Sequence, residues 1–294
     1  MQVGFAGLGQ MGAAVAGHLL TPQRQVTVWN RTAEKARDLI DRGAILAKSI
    51  DETLTGEIVF SMLADDEAVE DTFLRSAAFD RAPKGLIHVN LSTVSVDFTK
   101  QLAAIHRERG QIYIAAPVMG RPDVAKAGQL MILAAGPAEA RAAAQPLFDT
   151  FSRKTWLLGD EPEKANAMKL AINLMVAAAI GSMSEAAALV GGYGLSASQL
   201  LDITNTTLFA CPIYQNYGKA IAEEIYQPAG FPVHLGAKDM RLGLAAAEAV
   251  HVPTPIASVV RDSLLQAMAM GDAAKDWAVL GRVARARAGR IASG

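Results

Sequence analysis

Six residues near the start of the chain, Gly7-Leu8-Gly9-Gln10-Met11-Gly12, follow the apolar run Val3-Gly4-Phe5-Ala6 and lead directly into Ala13-Ala14-Val15-Ala16-Gly17-His18-Leu19-Leu20. A G-x-G-x-x-G set between a strand and a helix constrains the fold more than any other feature of this sequence. Gly7 permits the tight turn, Gly9 removes the side chain that would block a pyrophosphate, and Gly12 lets the helix pack on the strand. Leu8, Gln10 and Met11 complete the loop, and the helix N-terminus offers free N–H groups and the positive end of its dipole to phosphates. A glycine triplet alone is a weak signal. Here a second strand signal, Gln25-Val26-Thr27-Val28-Trp29, follows at the distance a βαβ unit needs, so the expectation is a dinucleotide-binding unit.

The residues after that second strand bear on which dinucleotide. A carboxylate there would accept the ribose 2′-hydroxyl of NAD, but this chain has Asn30-Arg31-Thr32, with Lys35 one turn further on. Asn30 is neutral, and Arg31 can stack on adenine while its guanidinium pairs with a 2′-phosphate. NADP(H) is therefore expected over NAD(H), the alternative being that Arg31 is an ordinary solvated residue at a helix start.

Strand and helix signals continue to alternate. Apolar runs at 57–63, 86–90, 111–115, 130–136 and 155–158 are expected to complete one doubly wound sheet, giving a Rossmann domain over residues 1–161. Ligands in such folds bind outside the carboxyl ends of the strands, so Met62, Leu63 and the Ser92–Ser95 turn should border the cofactor.

Beyond Glu163 strand signals stop. Segments 163–193, 196–206, 212–226, 235–250, 254–270 and 275–288 read as helices, giving an all-α domain over residues 162–294 that a long interdomain helix joins to the first. The first of them carries no charge from Leu170 through Ser184, a run of 15 residues, and is expected to be deeply buried. A bilayer core requires roughly 20 apolar residues, so no membrane span is expected. Lys169 lies one turn before Asn173, so both project from one face. A lysine in that setting is either solvated at an edge or placed for chemistry, because a buried ammonium without a partner is costly. A helical domain too thin to enclose its own apolar faces points to a homodimer through that domain.

Composition removes other classes. With 28 basic and 29 acidic residues the net charge is -1, which gives no global attraction to nucleic acid or anionic lipid. Five scattered histidines show no metal-ligand spacing, so no metal is expected. The one cysteine, Cys211, cannot form an internal disulfide, and beside Pro212 it reads as a packed small residue. A strand signal beginning at Gln2 leaves no room for a leader, so the expected location is cytoplasmic.

Taken together, Gly7–Gly12, Leu91-Ser92-Thr93-Val94-Ser95, Ala116-Pro117-Val118-Met119-Gly120, Lys169-Leu170-Ala171-Ile172-Asn173 and the run from Gly230 to Leu242 make the chain resemble the β-hydroxyacid dehydrogenase family over almost its whole length. That family includes 3-hydroxyisobutyrate dehydrogenases and the tartronate semialdehyde, succinic semialdehyde and glyoxylate reductases. The resemblance implies an NADPH-dependent oxidoreductase that reduces a small aldehyde or keto acid to a hydroxy acid. It also implies Lys169 as acid/base, Asn173 as the residue that positions substrate, and Ser92, Thr93, Met119, Gly120 and Arg121 as the site of the substrate carboxylate. Thr93 and Lys238 would meet the cofactor, and Phe231 would cover the substrate. Family members usually read D-A-P-V-S-G-G where this chain has Ala115-Ala116-Pro117-Val118-Met119-Gly120-Arg121, which removes a hydroxyl and adds bulk and charge. Imine reductases, a neighbouring family on the same architecture, generally carry Asp or Tyr at the lysine position, so Lys169 favours carbonyl chemistry. An imine or promiscuous carbonyl/imine reductase is the alternative, and a non-catalytic dinucleotide-binding regulator a second.

Overall fold

The structure is a computed structural model and describes residues 1–290. The chain divides into two compact units, with the boundary between Lys169 and Leu170, inside the helix Glu163–Gly192.

In the first unit, β1 (Gln2–Ala6), β2 (Gln25–Trp29), β3 (Ile45–Leu46), β4 (Ile58–Ser61), β5 (Ile87–Asn90) and β6 (Ile112–Ala115) form a parallel sheet in the order β3-β2-β1-β4-β5-β6. Parallel strands covered on both faces read as continuous apolar runs, and every residue of β4 and all but the first of β1 are buried. One face packs Phe5, Phe60, Phe148 and Phe151 together; the other packs Phe73, Phe79, Leu86 and Leu102. The order reverses between β1 and β4, which places the switch point, where such sheets bind ligands, beside the glycine loop that leaves β1.

The later strands do not extend this sheet, contrary to the expectation from sequence. β7 (Val118–Met119), β8 (Leu130–Ala134) and β9 (Ser152–Leu157) form a separate three-stranded sheet, with β7 antiparallel to β8 and β8 parallel to β9. Pro117 explains the break. It lacks the N–H that would continue the ladder from β6, so the chain turns there, and an isolated antiparallel pair between Ala115 and Ala135 is what joins the two sheets.

The second unit is helical, with no strand among its described residues. Its core gathers Ile180, Met183, Tyr217, Val233, Met240, Leu264, Trp277 and Leu280 around the long helix. That helix departs from expectation in one respect: it is not deeply buried. Only 22% of its most apolar 18-residue window is buried, although length and composition alone would let it cross a membrane. Apolar residues surround the helix on all sides, so one chain covers one stripe and leaves Met168, Met175 and Leu189 in solvent. Cys211 also departs from expectation. It precedes the helix Pro212–Ala222 and is exposed, because Pro212 opens that helix at the surface.

Candidate functional site

The glycine loop occupies the carboxyl end of β1. Gly7 has φ +100°, and a Cβ there would lie 2.3 Å from the Met62 carbonyl oxygen, so the turn and its contact with the chain leaving β4 both demand glycine. A Cβ on Gly12 would sit 1.9 Å from the Gly7 carbonyl oxygen, where the helix Gln10–Leu19 packs on the loop. Gly9 is different. A Cβ there would meet no atom within 4 Å, and its φ of -69° is open to any residue, so folding does not explain this glycine. Open space before the first N–H groups of a helix is the cradle a pyrophosphate needs, and the loop therefore fits a dinucleotide.

The loop is held by the residues predicted to border it. Gly7 N–H donates to the Trp29 carbonyl at 2.9 Å, and Leu8 N–H donates to Asn30 Oδ1 at 2.9 Å. The Asn30 Nδ2 donates in turn to the Thr32 carbonyl at 2.9 Å. Asn30 thus serves as the strut between the end of β2 and the glycine loop, while Arg31, Thr32 and Lys35 beyond it are exposed. Met62 N–H donates to the Ala6 carbonyl, and Leu63 N–H donates to Ser92 Oγ at 2.8 Å. Gly7, Leu8, Asn30, Met62, Leu63 and Ser92 therefore form one hydrogen-bonded cluster at the carboxyl edge of the sheet.

Beneath this edge runs a polar network that sequence reasoning missed. Asn90 Oδ1 accepts from Ser92 N–H at 2.9 Å, which orients the amide and leaves Nδ2 to donate to the Tyr113 hydroxyl at 3.1 Å. Burial pushes the Tyr113 hydroxyl well above the usual phenol range. The Thr99 hydroxyl donates to the Ser95 carbonyl at 2.9 Å, so its oxygen is left to accept, and Asn166 Nδ2 donates to it at 2.8 Å. Ser95 N–H donates to Asp66 Oδ1 at 2.8 Å. The Ser92–Ser95 turn is thereby tied at both ends.

A second branch leads from Ser61 into the core. Ser61 Oγ lies 2.7 Å from His88 Nε2 and 3.1 Å from Asn90 Oδ1, His88 Nδ1 lies 3.1 Å from His106 Nε2, and His106 Nδ1 lies 2.7 Å from the Leu102 carbonyl. A carbonyl only accepts, so His106 donates through Nδ1 and accepts from His88 Nδ1–H, which leaves His88 Nε2 and Asn90 Oδ1 as two acceptors that share the one Ser61 hydrogen. Desolvation by burial lowers both imidazoles, His88 well below its ordinary value and His106 to about 4. A scan for metal or catalytic spacing could not have found this pair; the signal available was a histidine at an inward position of each element.

In the second unit, Asn173 Nδ2 donates to Asp239 Oδ2 at 2.5 Å, and Lys238 Nζ lies 2.9 Å from Asp239 Oδ1. Asn173 and Asp239 are both buried. Phe231 packs on Trp277 with ring centroids 4.7 Å apart, and its N–H and that of Gly230 both donate to Asp276 Oδ2. Lys169, half-buried, lies one helical turn before Asn173. Met119 ends β7, Gly120 has φ +142°, and Arg121 precedes the short helix Pro122–Lys126.

Comparison with known proteins places this geometry. Residues 2–159 match a family profile described as the NAD binding domain of 6-phosphogluconate dehydrogenase, and residues 164–283 match one described as the NAD-binding domain of NADP-dependent 3-hydroxyisobutyrate dehydrogenase. An uncharacterized oxidoreductase, YfjR, of Bacillus subtilis is 40% identical over 95% of this chain and 98% of its own. The chloroplastic glyoxylate/succinic semialdehyde reductase 2 of Arabidopsis thaliana is 32% identical over 95% of this chain and 78% of its own. Among solved structures, the 3-hydroxyisobutyrate dehydrogenase of Mycobacterium tuberculosis with L-serine superposes with a TM-score of 0.87 at 23% identity, over 97% of this chain and 99% of that one.

Proposed function

Because this chain belongs to the β-hydroxyacid dehydrogenase family, and is an NAD(P)-dependent oxidoreductase acting on CH–OH groups, we propose that it uses NADPH to reduce a small aldehyde or keto acid, with Lys169 as the acid/base. The observation that carries the reading is Lys169 standing one turn before an Asn173 whose own amide is locked onto a buried carboxylate.

The nicotinamide, when bound, supplies the hydride that the carbonyl carbon receives. The Lys169 ammonium gives its proton to the carbonyl oxygen as that hydride arrives, leaving a hydroxyl, and is reprotonated from solvent. With Asn173 Nδ2 engaged by Asp239, the amide is oriented so that its Oδ1 is the acceptor end, suited to accept from the Lys169 ammonium or from a substrate hydroxyl. Ser92 Oγ accepts from Leu63 N–H, so its own hydrogen is left to donate to a substrate carboxylate, beside Thr93. Arg121 and Gly120 are assigned to the same acid end. Gly7, Leu8, Gly9, Gln10, Met11 and Gly12 would hold the pyrophosphate, Met62, Leu63 and Thr93 the remainder of the cofactor, and Arg31, Thr32 and Lys35 a 2′-phosphate. The absence of an acidic residue at Asn30 and the similarity of the second half to an NADP-dependent type support that cofactor choice.

The exposed Met175, Leu189, Ile203 and Leu208 of the helical unit support a homodimer that covers them. The test is NADPH consumption against glyoxylate, succinic semialdehyde, a plain aldehyde and a cyclic imine, repeated with Lys169→Ala. Turnover of the acids, reduced about 10²-fold or more in the variant with NADPH affinity kept, is the expected result. Preference for the imine or the plain aldehyde would replace the substrate class, and full turnover by Lys169→Ala would remove the lysine's role.

A further inference from the structure

We propose that Asn166 is a positioning residue for Lys169, acting through Thr99 to lock the first turn of the lysine helix to the Ser92–Ser95 turn. The inference rests on the reading of Lys169 as the acid/base. It starts from an unbroken path of donors and acceptors. Asn166 Nδ2 donates to the Thr99 hydroxyl and that hydroxyl donates to the Ser95 carbonyl, while Ser92 N–H at the other end of the same turn donates to Asn90 and Asn90 donates to Tyr113. Every side chain on the path is buried, with Thr99 at 0% and Asn166 at 1% exposure.

The directions of these bonds are forced. The Thr99 hydrogen is used on the Ser95 carbonyl, so the group that Asn166 presents to Thr99 must be its NH2. Asn166 Oδ1 then accepts no hydrogen bond from the described residues. A buried unpaired carbonyl is costly, and a leucine of similar size would fill the position without that cost, so packing alone does not account for an amide here. Asn166 precedes Lys169 by three residues on one continuous helix, and side chains so spaced are neighbours on the helix surface. Ala165 beside it is buried in the apolar cluster with Val94, Phe98 and Leu102. The helix therefore begins clamped by an apolar contact and by one oriented hydrogen bond, and the bond leads to the turn assigned to the substrate carboxylate.

A general acid loses effect when it is displaced by a fraction of an ångström from the oxygen it protonates. Breaking the path should act on the chemical step and leave the dinucleotide loop alone. The experiment compares Asn166→Leu, Thr99→Val, Thr99→Ser and the Asn166→Leu/Thr99→Val double variant with wild type and Lys169→Ala. It measures kcat and KM for the best substrate, the pH profile of kcat, and NADPH Kd by fluorescence. The expected result is a kcat about 10-fold lower in each single variant that breaks the bond, with NADPH Kd unchanged and the pH profile displaced. Thr99→Ser, which keeps the hydroxyl, restores kcat, and the double variant is no worse than either single one, because both remove one bond. If Asn166→Leu does not fold, Thr99→Val, which deletes the hydroxyl that joins Asn166 to Ser95 and keeps the branched shape, is read in the same way.

Wild-type kcat and pH profile in Asn166→Leu or Thr99→Val, while Lys169→Ala is inactive, would overturn the positioning role alone. Full activity in Lys169→Ala would instead overturn the reading on which it rests.

Discussion

Asn30 Oδ1 accepts the Leu8 amide hydrogen at 2.9 Å, so the position that would carry a ribose-binding carboxylate is here a structural strut for the glycine loop. Asn30→Asp keeps an acceptor for Leu8 and adds one negative charge beside the proposed 2′-phosphate site. NADPH should bind about 10-fold or more weakly in that variant, with NADH unchanged or improved, since like charges at close range cost one to several kcal/mol. Titration with both dinucleotides decides it. Equal losses for the two would mean that Asn30 acts on the loop alone.

Gly9 and Gly12 separate folding from binding. Gly12→Ala places a carbon 1.9 Å from a backbone oxygen and should destabilise the first unit and abolish dinucleotide binding together. Gly9→Ala meets no protein atom, and alanine in place of glycine at a helix N-cap costs about 1 kcal/mol at most. Its Tm should therefore fall by about 4 °C or less, while dinucleotide affinity drops by an order of magnitude or more. Calorimetry and titration of the same preparations test this, and unaltered affinity in Gly9→Ala would remove the pyrophosphate from that loop.

The buried histidine pair makes stability depend on pH. Phe73, Phe79 and Tyr113 pack around the two rings, and Arg109 adds to the lowering of His106. Both are neutral in the folded chain at pH 7, whereas in the unfolded chain each titrates near about 6.5. Folded values below unfolded ones mean that the unfolded chain takes up more protons as the pH falls. The stability contribution is thus complete above about pH 7 and is lost on acidification, the His106 share ending near pH 4. Each group should add up to about 1.4 kcal/mol per pH unit within its window. Urea unfolding between pH 8 and pH 5 should show this slope, and a variant with leucine at both positions should show it reduced. An unchanged slope would mean that the acid sensitivity originates elsewhere.

Met175 and Leu189 are 73% and 63% exposed on the long helix. Met175→Glu with Leu189→Glu should shift the particle from dimer to monomer in sedimentation, with little change in helix content, because neither side chain is in the core of the helical unit. A monomeric wild type would end the dimer proposal.

The elements legible in the sequence were those with a local signature. Gly7–Gly12 with its flanking strand and helix, and the six later helices bounded by glycine, proline and serine, lie where their residues indicated. Two-residue strands such as Ile45–Leu46 and Val118–Met119 carry no periodicity to detect. The split of the sheet was recoverable from Pro117, a residue without an amide hydrogen at the end of an apolar run. The burial of the long helix was overestimated because composition reports apolarity and not how many faces a single chain can cover. Within the candidate site, Ser92 and Asn30 were singled out by position, but their bonds to Leu63 and Leu8 join segments 29 and 22 residues apart, beyond any local pattern. Asn90, Tyr113, Thr99 and Asn166 gave no signal at all, since isolated polar residues in apolar runs become a network only once folding brings them together.

The line from Ser61 through His88 and His106 to the Leu102 carbonyl has a polarity, like a row of magnets laid head to tail. Replacing one imidazole by an apolar group would strand the hydrogen on one side and the lone pair on the other, whereas exchanging all three side chains for apolar ones strands nothing. The three positions therefore make one heritable unit, expected to drift together or not at all, and anyone redesigning this core should change them as a set.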